Sequence, residues 1–483
     1  MRSVPHRVVC LLGLDDGAFP RKAPRDGDDL MLADGHVGER DPRSEDRQLL
    51  LDALLAASQR LIITYTGNDE RTNAPRPPAV PVGELLDVVD ATVCTGDGRP
   101  ARAHVVVRHP LQPFDPRNFT SGALAGEPPW SFDPVTLEGA RALSGPRAQP
   151  GPFLPAPLPA PAHAAVELSD LVRFAQHPVR AFLRQRLRIS LSDRSDETED
   201  GLSVELDGLA RWAVGQRLLD ARLAGVDGRA AIRAEIARGM LPPGVLGKPV
   251  IDRVYPIVGA IADQAAQLSA GAPRRPVDVR TTLAGGRLLN GTVAGVCGDL
   301  LLTSTYSRLS GKHRLAAWVS LLALTAAHPQ RPFRAATIGR KDGRGSVLVA
   351  QVAPLADDPD ERREIADRLL AAFVDLYDRG MREPLPLYCL TSAAYAEAAV
   401  AGGEPLDAGR RAWTSEWKFD KEDRELEHQL VLGGVLAFEQ LSGEPPRPDE
   451  VGPGWDAAET TRLGRYARRL WDELLAHEQV TSS

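Results

Sequence analysis

The chain has 483 residues, enough for about three domains of ordinary size. Its 65 acidic and 58 basic residues give a net charge of −7, which excludes a surface coated throughout in basic groups but leaves room for a local basic channel. No apolar run approaches the roughly 20 residues of a membrane helix, and the opening residues lead into a polar stretch, so a cytoplasmic protein is expected.

The opening "HRVVCLLGLDDGAFPR" predicts a strand from Val8 to Leu12, ending in a turn at Gly13 and Asp15-Asp16-Gly17. A strand this apolar calls for cover on both faces, as in parallel α/β sheets. In "EDRQLLLDALLAASQRLIITY", residues 45–65, Leu50, Ala53, Leu54 and Ala57 recur at helical spacing, and a second strand follows from Leu61 to Thr64. Two strands and one helix are a fraction of a parallel sheet. Either another chain supplies the rest or the sequence begins partway through a domain; the second is the expectation.

Seven prolines between Ser144 and Pro161 favour extended conformation and mark the clearest boundary. Beyond it, "LSDLVRFAQHPVRAFLRQRL" predicts two short helices divided at Pro178, and the acidic loop "SDRSDETED" separates them from a helix in "LDGLARWAVGQRLLDARL". Helical patterns continue to about Ser269. A strand pair turning at Gly298-Asp299, a helix in "HRLAAWVSLLALTAA", a hairpin around Asp342-Gly343 and a helix in "DERREIADRLLAAFVDLYDRG" follow. The fold class is α/β.

Five blocks then carry a resemblance that spans nearly the whole chain: "VPHRVVCLLGLDDGAFPR", "GNDERTNAPRPPAVPVGELLD", "LSDLVRFAQHPVRAFLRQRL", "SGKHRLAAWVSLLALTAA" and "LYDRGMREPLPLYCLTSAAYA". In that order they resemble the C-terminal part of RecC, the gamma subunit of exodeoxyribonuclease V (the RecBCD complex). The resemblance implies a partial superfamily 1 helicase-like domain followed by a RecB-type nuclease fold lacking its active site. The expected division is a helicase-like remnant over 1–100, a connecting segment with the proline-rich linker over 101–165, an inactive nuclease-like domain over 166–400 and a helical region over 401–483. Members of the family are considerably longer, so the resemblance also implies a C-terminal fragment or a truncated gene product.

Read residue by residue, the chemistry of an ATPase is missing. No G-x-x-x-x-G-K-[ST] loop cradles phosphates, and Ala56 stands where helicases place an arginine that reaches the γ-phosphate. Arg47 matches another helicase arginine, but surface pairing near Glu45 and Asp46 is the simpler reading. A RecB-type nuclease holds Mg²⁺ with an Asp on one strand and an Asp-x-Lys on the next. Those positions fall on Ala294 and on Thr303-Ser304-Thr305, and the upstream histidine position falls in Ala210 to Ala213. Asp299, beside Gly298, reads as a turn former. The four cysteines, Cys10, Cys94, Cys297 and Cys389, lie far apart, so no zinc or iron–sulfur site is encoded by local spacing. This separates the chain from AddB-type relatives, which keep a cysteine cluster. Isolated histidines such as His313 and His428 read as surface or satisfied core residues.

What remains is surface. Arg173, Arg180, Arg184, Arg186 and Arg188, with Phe174 and Phe182 among them, either contact DNA phosphates or form a solvated face paired with the acidic loop. Asn73 and Arg76, in "GNDERTNAPRPPA", are the candidate single-strand contacts, with a plain loop as the alternative. Two functions therefore compete. One is a noncatalytic DNA-guiding and scaffolding piece working with RecB-like and RecD-like subunits on double-stranded ends and single strands, where the partners use ATP and Mg²⁺, no cofactor sits in this chain, and RecC helps split the duplex and scan for Chi. The other is an active metal-dependent nuclease with migrated catalytic residues.

Overall fold

The computed structural model describes residues 4–21, 36–38, 41–124, 126–146, 151–161, 165–191, 205–283, 286–341, 347–417 and 419–482. The acidic loop at 192–200 and the Asp342-Gly343 turn lie outside the described residues. The chain divides into two compact units, 1–149 and 150–483.

In the first unit, β1 (His6–Leu11) pairs in parallel with β2 (Ala57–Ile63), from His6 opposite Ala57 to Leu11 opposite Ile63. Between them in sequence runs α1 (Pro42–Ala56). Asp41 caps it, its carboxylate accepting the Arg43 and Ser44 amides at 3.1 and 3.3 Å, and Pro42 opens the helix where no amide proton is needed. Helix passes to strand with no loop between Ala56 and Ala57, so β2 begins earlier than the apolar run Leu61 to Ile63 suggests. Strand β1 lacks the cover that its apolar run calls for: Val8 is 48% exposed and Leu12, just past its end, 75%, with β2 its only strand neighbour among the described residues. Arg47 pairs with Glu84 at 2.7 Å, on α2 (Val80–Thr92), and not near its own helix; Asp46 is buried and taken by Arg21 at 2.7 Å. A further helix, α3, covers Pro134–Ser144.

The second unit is built on a seven-stranded mixed sheet in the order β3-β5-β6-β7-β8-β9, with β4 on the other edge of β5. These are β3 (Ala165–Glu167), β4 (Arg274–Thr282), β5 (Leu288–Cys297), β6 (Leu300–Arg308), β7 (Arg334–Arg340), β8 (Val347–Val352) and β9 (Glu478–Ser482). The α/β class expected from the sequence is what the chain adopts. Residues alternate across the sheet: Leu301 and Ala335 face one core, whereas Leu300, Leu302, Ala336 and Ile338 face the other. The first core packs α4 (Leu168–Gln176), the single turn α5 (Pro178–Ala181), α9 (Gly311–Ala327), α10 (Pro359–Gly380), α11 (Cys389–Val400) and α15 (Arg462–His477). The second packs α6 (Gly208–Leu223), α7 (Gly228–Ala237) and α8 (Lys248–Ser269). Three further helices, α12 (Pro405–Trp413), α13 (Leu426–Leu432) and α14 (Phe438–Ser442), lie near the C-terminal side of the sequence. Residues beyond 400 thus supply an edge strand and a core helix to this unit.

One local feature positions everything below. Strands β5 and β6 meet at a tight turn, where Gly298 takes φ +59°, but pair only through Val296–Leu301 and Cys297–Leu300 before they separate. Gly295 sits at the separation with φ +81°, and a Cβ there would lie 2.9 Å from the Leu302 carbonyl oxygen. Farther along, the same edge of β5 is taken by β3, from Leu288 to Asn290.

Candidate functional site

The parted strands open onto a cavity of about 630 Å³ between β5, β6, α4 and α9. Ala294 and Thr303 both line it, together with Ser169, Ser320 and, as its one carboxylate, Glu167. Two of the three degenerate ligand positions are therefore side by side. Thr305 is not among them: it lines a neighbouring groove, its hydroxyl accepting the Ser307 amide at 3.1 Å. Asp299 lies back at the turn, where Arg331 donates to it at 2.8 Å, and does not line the cavity. Ala56 ends α1 in the first unit, with no charge to offer.

The groove is larger, about 1470 Å³, and shares Glu167, Arg173 and Gln176 with the cavity. Arg173, Arg180 and Arg184 line one side, from α4, α5 and the π-helical turn Phe182–Arg186, with Arg188 just beyond that turn. Arg308, Lys312 and Arg340 line the other, with the rings of Trp212 and Phe419 at its margin. Trp212 is fixed by its indole N–H, which donates to Ser307 Oγ at 2.9 Å, and Arg340 stacks 4.6 Å over the Tyr306 ring.

The arginine run is less free than its sequence suggests. Arg173 pairs with Asp170 one turn back at 2.8 Å, Arg180 with Glu427 at 2.6 Å, and Arg186 donates to the Pro159 carbonyl at 2.8 Å. Phe174 and Phe182 are fully buried in the first core and present no ring to the groove. Asn73 and Arg76 share one turn in the first unit. Asn73 has φ +54° and accepts from Asn68, and Arg76 is ion-paired with Asp69, whose carboxyl is held down to about 2 by the Thr72 and Arg71 amides. Both are thus engaged in a self-supporting loop.

A further cluster, only part of it close in sequence, borders the groove through His177 and Glu425. His177 Nε2 lies 2.7 Å from Glu425 Oε2, and His428 Nδ1 lies 3.7 Å from the same oxygen. Glu425 is the residue before α13, and His428 follows on the same helix face. His428 is buried, and burial together with the neighbouring His177 lowers its ring to about 4. Burial opposes ionisation of Glu425, but the bond from His177 and the charges of His428 and Arg180 outweigh it and lower its pKa. Beneath them Glu422 is buried, accepting the Leu390 and Thr391 amides at 2.9 and 2.7 Å, and Cys389 is buried and raised. The only hint in sequence is Glu-x-x-His at 425–428; the partner lies 248 positions away.

Comparison with known proteins gives a consistent answer. Residues 163–400 match the family described as "RecC C-terminal domain". The chain is 45% identical over 480 residues to the "RecBCD enzyme subunit RecC" of Mycobacterium tuberculosis (strain CDC 1551 / Oshkosh), covering 99% of this chain and 42% of that protein. With the same-named subunit of Mycolicibacterium smegmatis (strain ATCC 700084 / mc(2)155), identity is 45% over 486 residues, covering 99% of this chain and 42% of that protein. With that of Escherichia coli (strain K12) it is 32% over 398 residues, covering 80% and 33%. The chain thus spans less than half the length of these relatives. The matched domain lies on the sheet and helices around the cavity, the identities extend through both compact units, and the chain belongs to the RecC family, corresponding to its C-terminal part.

Proposed function

We propose that the chain is a noncatalytic DNA-guiding and scaffolding part of a RecBCD-type helicase–nuclease in the cytoplasm, acting where double-strand ends are processed for recombinational repair and Chi is recognised. In this reading the first unit is a partial helicase-like domain, and the second is a nuclease-like fold that has lost its ligands. RecB-like and RecD-like partners supply the motors and the nuclease and use ATP and Mg²⁺.

The observation that carries the reading is the cavity shared by Ala294 and Thr303. Mg²⁺ gives up water reluctantly and is held by carboxylates; an alanine methyl and a threonine hydroxyl do not replace two of them. The groove running into that cavity has the character a nucleic-acid strand needs: guanidinium groups for phosphate and exposed rings for stacking. A net charge of −7 is compatible with it, because seven arginines and lysines line this one groove.

The test is incubation of the purified 483-residue chain with labelled linear DNA, Mg²⁺ and ATP, alongside co-purification with RecB-like and RecD-like subunits from the same source. The expected result is intact DNA, no DNA-stimulated ATP turnover and recovery of a three-subunit complex. Metal-dependent cleavage by the chain alone would instead establish the migrated-residue nuclease.

A further inference from the structure

We propose that His177, Glu425 and His428 form a binding site for a borderline divalent cation of the Zn²⁺ class on the wall of the groove. Two imidazoles and a carboxylate are a donor set that Zn²⁺ takes up, with metal–nitrogen and metal–oxygen bonds of about 2.0–2.2 Å. At tetrahedral angles such bonds put neighbouring donor atoms about 3.3 Å apart. His177 Nε2 lies 2.7 Å from Glu425 Oε2, somewhat inside that value, and the His177 and His428 rings lie with their centroids 4.9 Å apart. One donor atom from each of the three residues falls within 4.8 Å of the others.

The surroundings of His428 point the same way. Its Nδ1 lies 2.7 Å from the Glu422 carbonyl oxygen, which only accepts, so Nδ1 carries the proton and Nε2 carries a lone pair. That nitrogen is buried and has no hydrogen-bond partner among the described residues. Metal-bound histidines characteristically have their second ring nitrogen held by a carbonyl or carboxylate, which fixes the tautomer. A buried lone pair left over in an otherwise satisfied wall calls for an occupant.

Coordination has a defined cost at His177. Its Nδ1 accepts the Arg180 amide at 3.1 Å, and its Nε2 proton is directed at Glu425. When Nε2 binds the cation, that proton moves to Nδ1 and the ring stays neutral, so no net proton is released from it. The Arg180 amide then loses its acceptor and the single turn α5 loses its cap. Arg180 itself pairs with Glu427, so occupancy of the site is coupled to how this arginine is presented to the groove. The site does not depend on what the groove binds.

The experiment is a titration of the metal-stripped 483-residue chain with Co²⁺, read by visible absorption, and with Zn²⁺, read by calorimetry. Glu425→Gln and His177→Gln serve as variants, both partly exposed positions, with thermal melts to verify folding. The expected result is one site per chain with a tetrahedral Co²⁺ spectrum, displaced by Zn²⁺ and weakened at least tenfold in either folded variant, since outer-shell loss alone costs about that much. Two outcomes overturn the proposal. One is no saturable binding, which leaves a hydrogen-bonded cluster only; the other is binding unchanged in both variants, which places the cation elsewhere.

Discussion

Arg331 holds Asp299 at the mouth of the β5–β6 turn: its Nε donates to Asp299 Oδ1 at 2.8 Å and its Nη2 to the Gly298 carbonyl at 2.7 Å, while the Arg334 amide closes onto the Asp299 carbonyl at 3.0 Å. The only carboxylate of the hairpin is therefore a turn fastener. Replacing it as Asp299→Ala should lower stability by no more than about 1 kcal/mol, because both partners are substantially exposed. Denaturant melts measure this, and unchanged integrity of linear DNA is expected alongside. Loss of a cleavage activity on this substitution would show that Asp299 has a chemical role.

The cavity lined by Ala294 should not be rescued one ligand at a time. Calorimetry with Mg²⁺ or Mn²⁺ is expected to show no site there in the native chain. Ala294→Asp alone should leave linear DNA uncut, since Thr303 and Thr305 still supply neither a second carboxylate nor a lysine. Cleavage by the single variant would mean that Glu167, already lining the cavity, completes a metal site.

Arg184 and Arg188 line the groove, and the reading of a strand path predicts a salt signature for them. The double variant Arg184→Glu, Arg188→Glu should weaken single-strand binding at low salt. It should also reduce the slope of log affinity against log salt by about 0.7 for each lost phosphate contact. Fluorescence anisotropy over a salt series separates this from a fold defect, which would leave the slope of the surviving binding unchanged.

Near the same unit's C-terminal side, Arg462 is almost fully buried and donates to Glu450 at 2.6 Å, with Glu444 and Glu383 at 3.1 and 3.4 Å. Removing the cation leaves the buried Glu450 carboxylate without its ion partner. Arg462→Ala should cost about 3–5 kcal/mol, whereas a simultaneous Glu450→Leu should recover part of it. Chemical denaturation of the two variants side by side tests the pair.

His313 gives a pH dependence with a definite sign. Its Nδ1 accepts the Ser310 amide at 3.3 Å, and burial, with Lys312 nearby, lowers its pKa from 6.5 to about 4. The unfolded chain therefore binds the proton first as pH falls. Stability from this residue is intact above about 6.5 and declines toward pH 4. His313→Gln should flatten the thermal-melt profile in that window; an unaltered profile would assign the pH response to other groups.

The sequence was most informative where structure is local. Gly298-Asp299 marks the β5–β6 turn, apolar spacing marks α9 and α10, and the Ala294 and Thr303 positions come together as strand alternation requires. It was least informative where partners are remote. Nothing near Arg180 identifies Glu427, and nothing near His177 identifies Glu425, because a charge run shows which groups exist and not which acids the tertiary fold delivers. Strand β1 illustrates the converse: an apolar run fixes the conformation, but cover depends on neighbours that periodicity does not count. Phe174 and Phe182 similarly alternate with arginines in sequence while facing the core.

The strand order of the second unit has a kinetic consequence. Its sheet brings residues 165–167 onto β5 and residues 478–482 onto β8, and α5 with its capping His177 meets the segment of α13 through pairs 247 and 248 positions apart. Contacts of such separation repay their loop-closure entropy only after much intervening chain is ordered. The helices α6 to α8 and the β4–β5 hairpin can organise from local contacts, whereas the closure of α13 onto α5 belongs to the final docking steps. The groove wall that bears His177 and Glu425 is therefore among the last surfaces to mature, and refolding intermediates should be recognisable by native-like helix content with that wall still open.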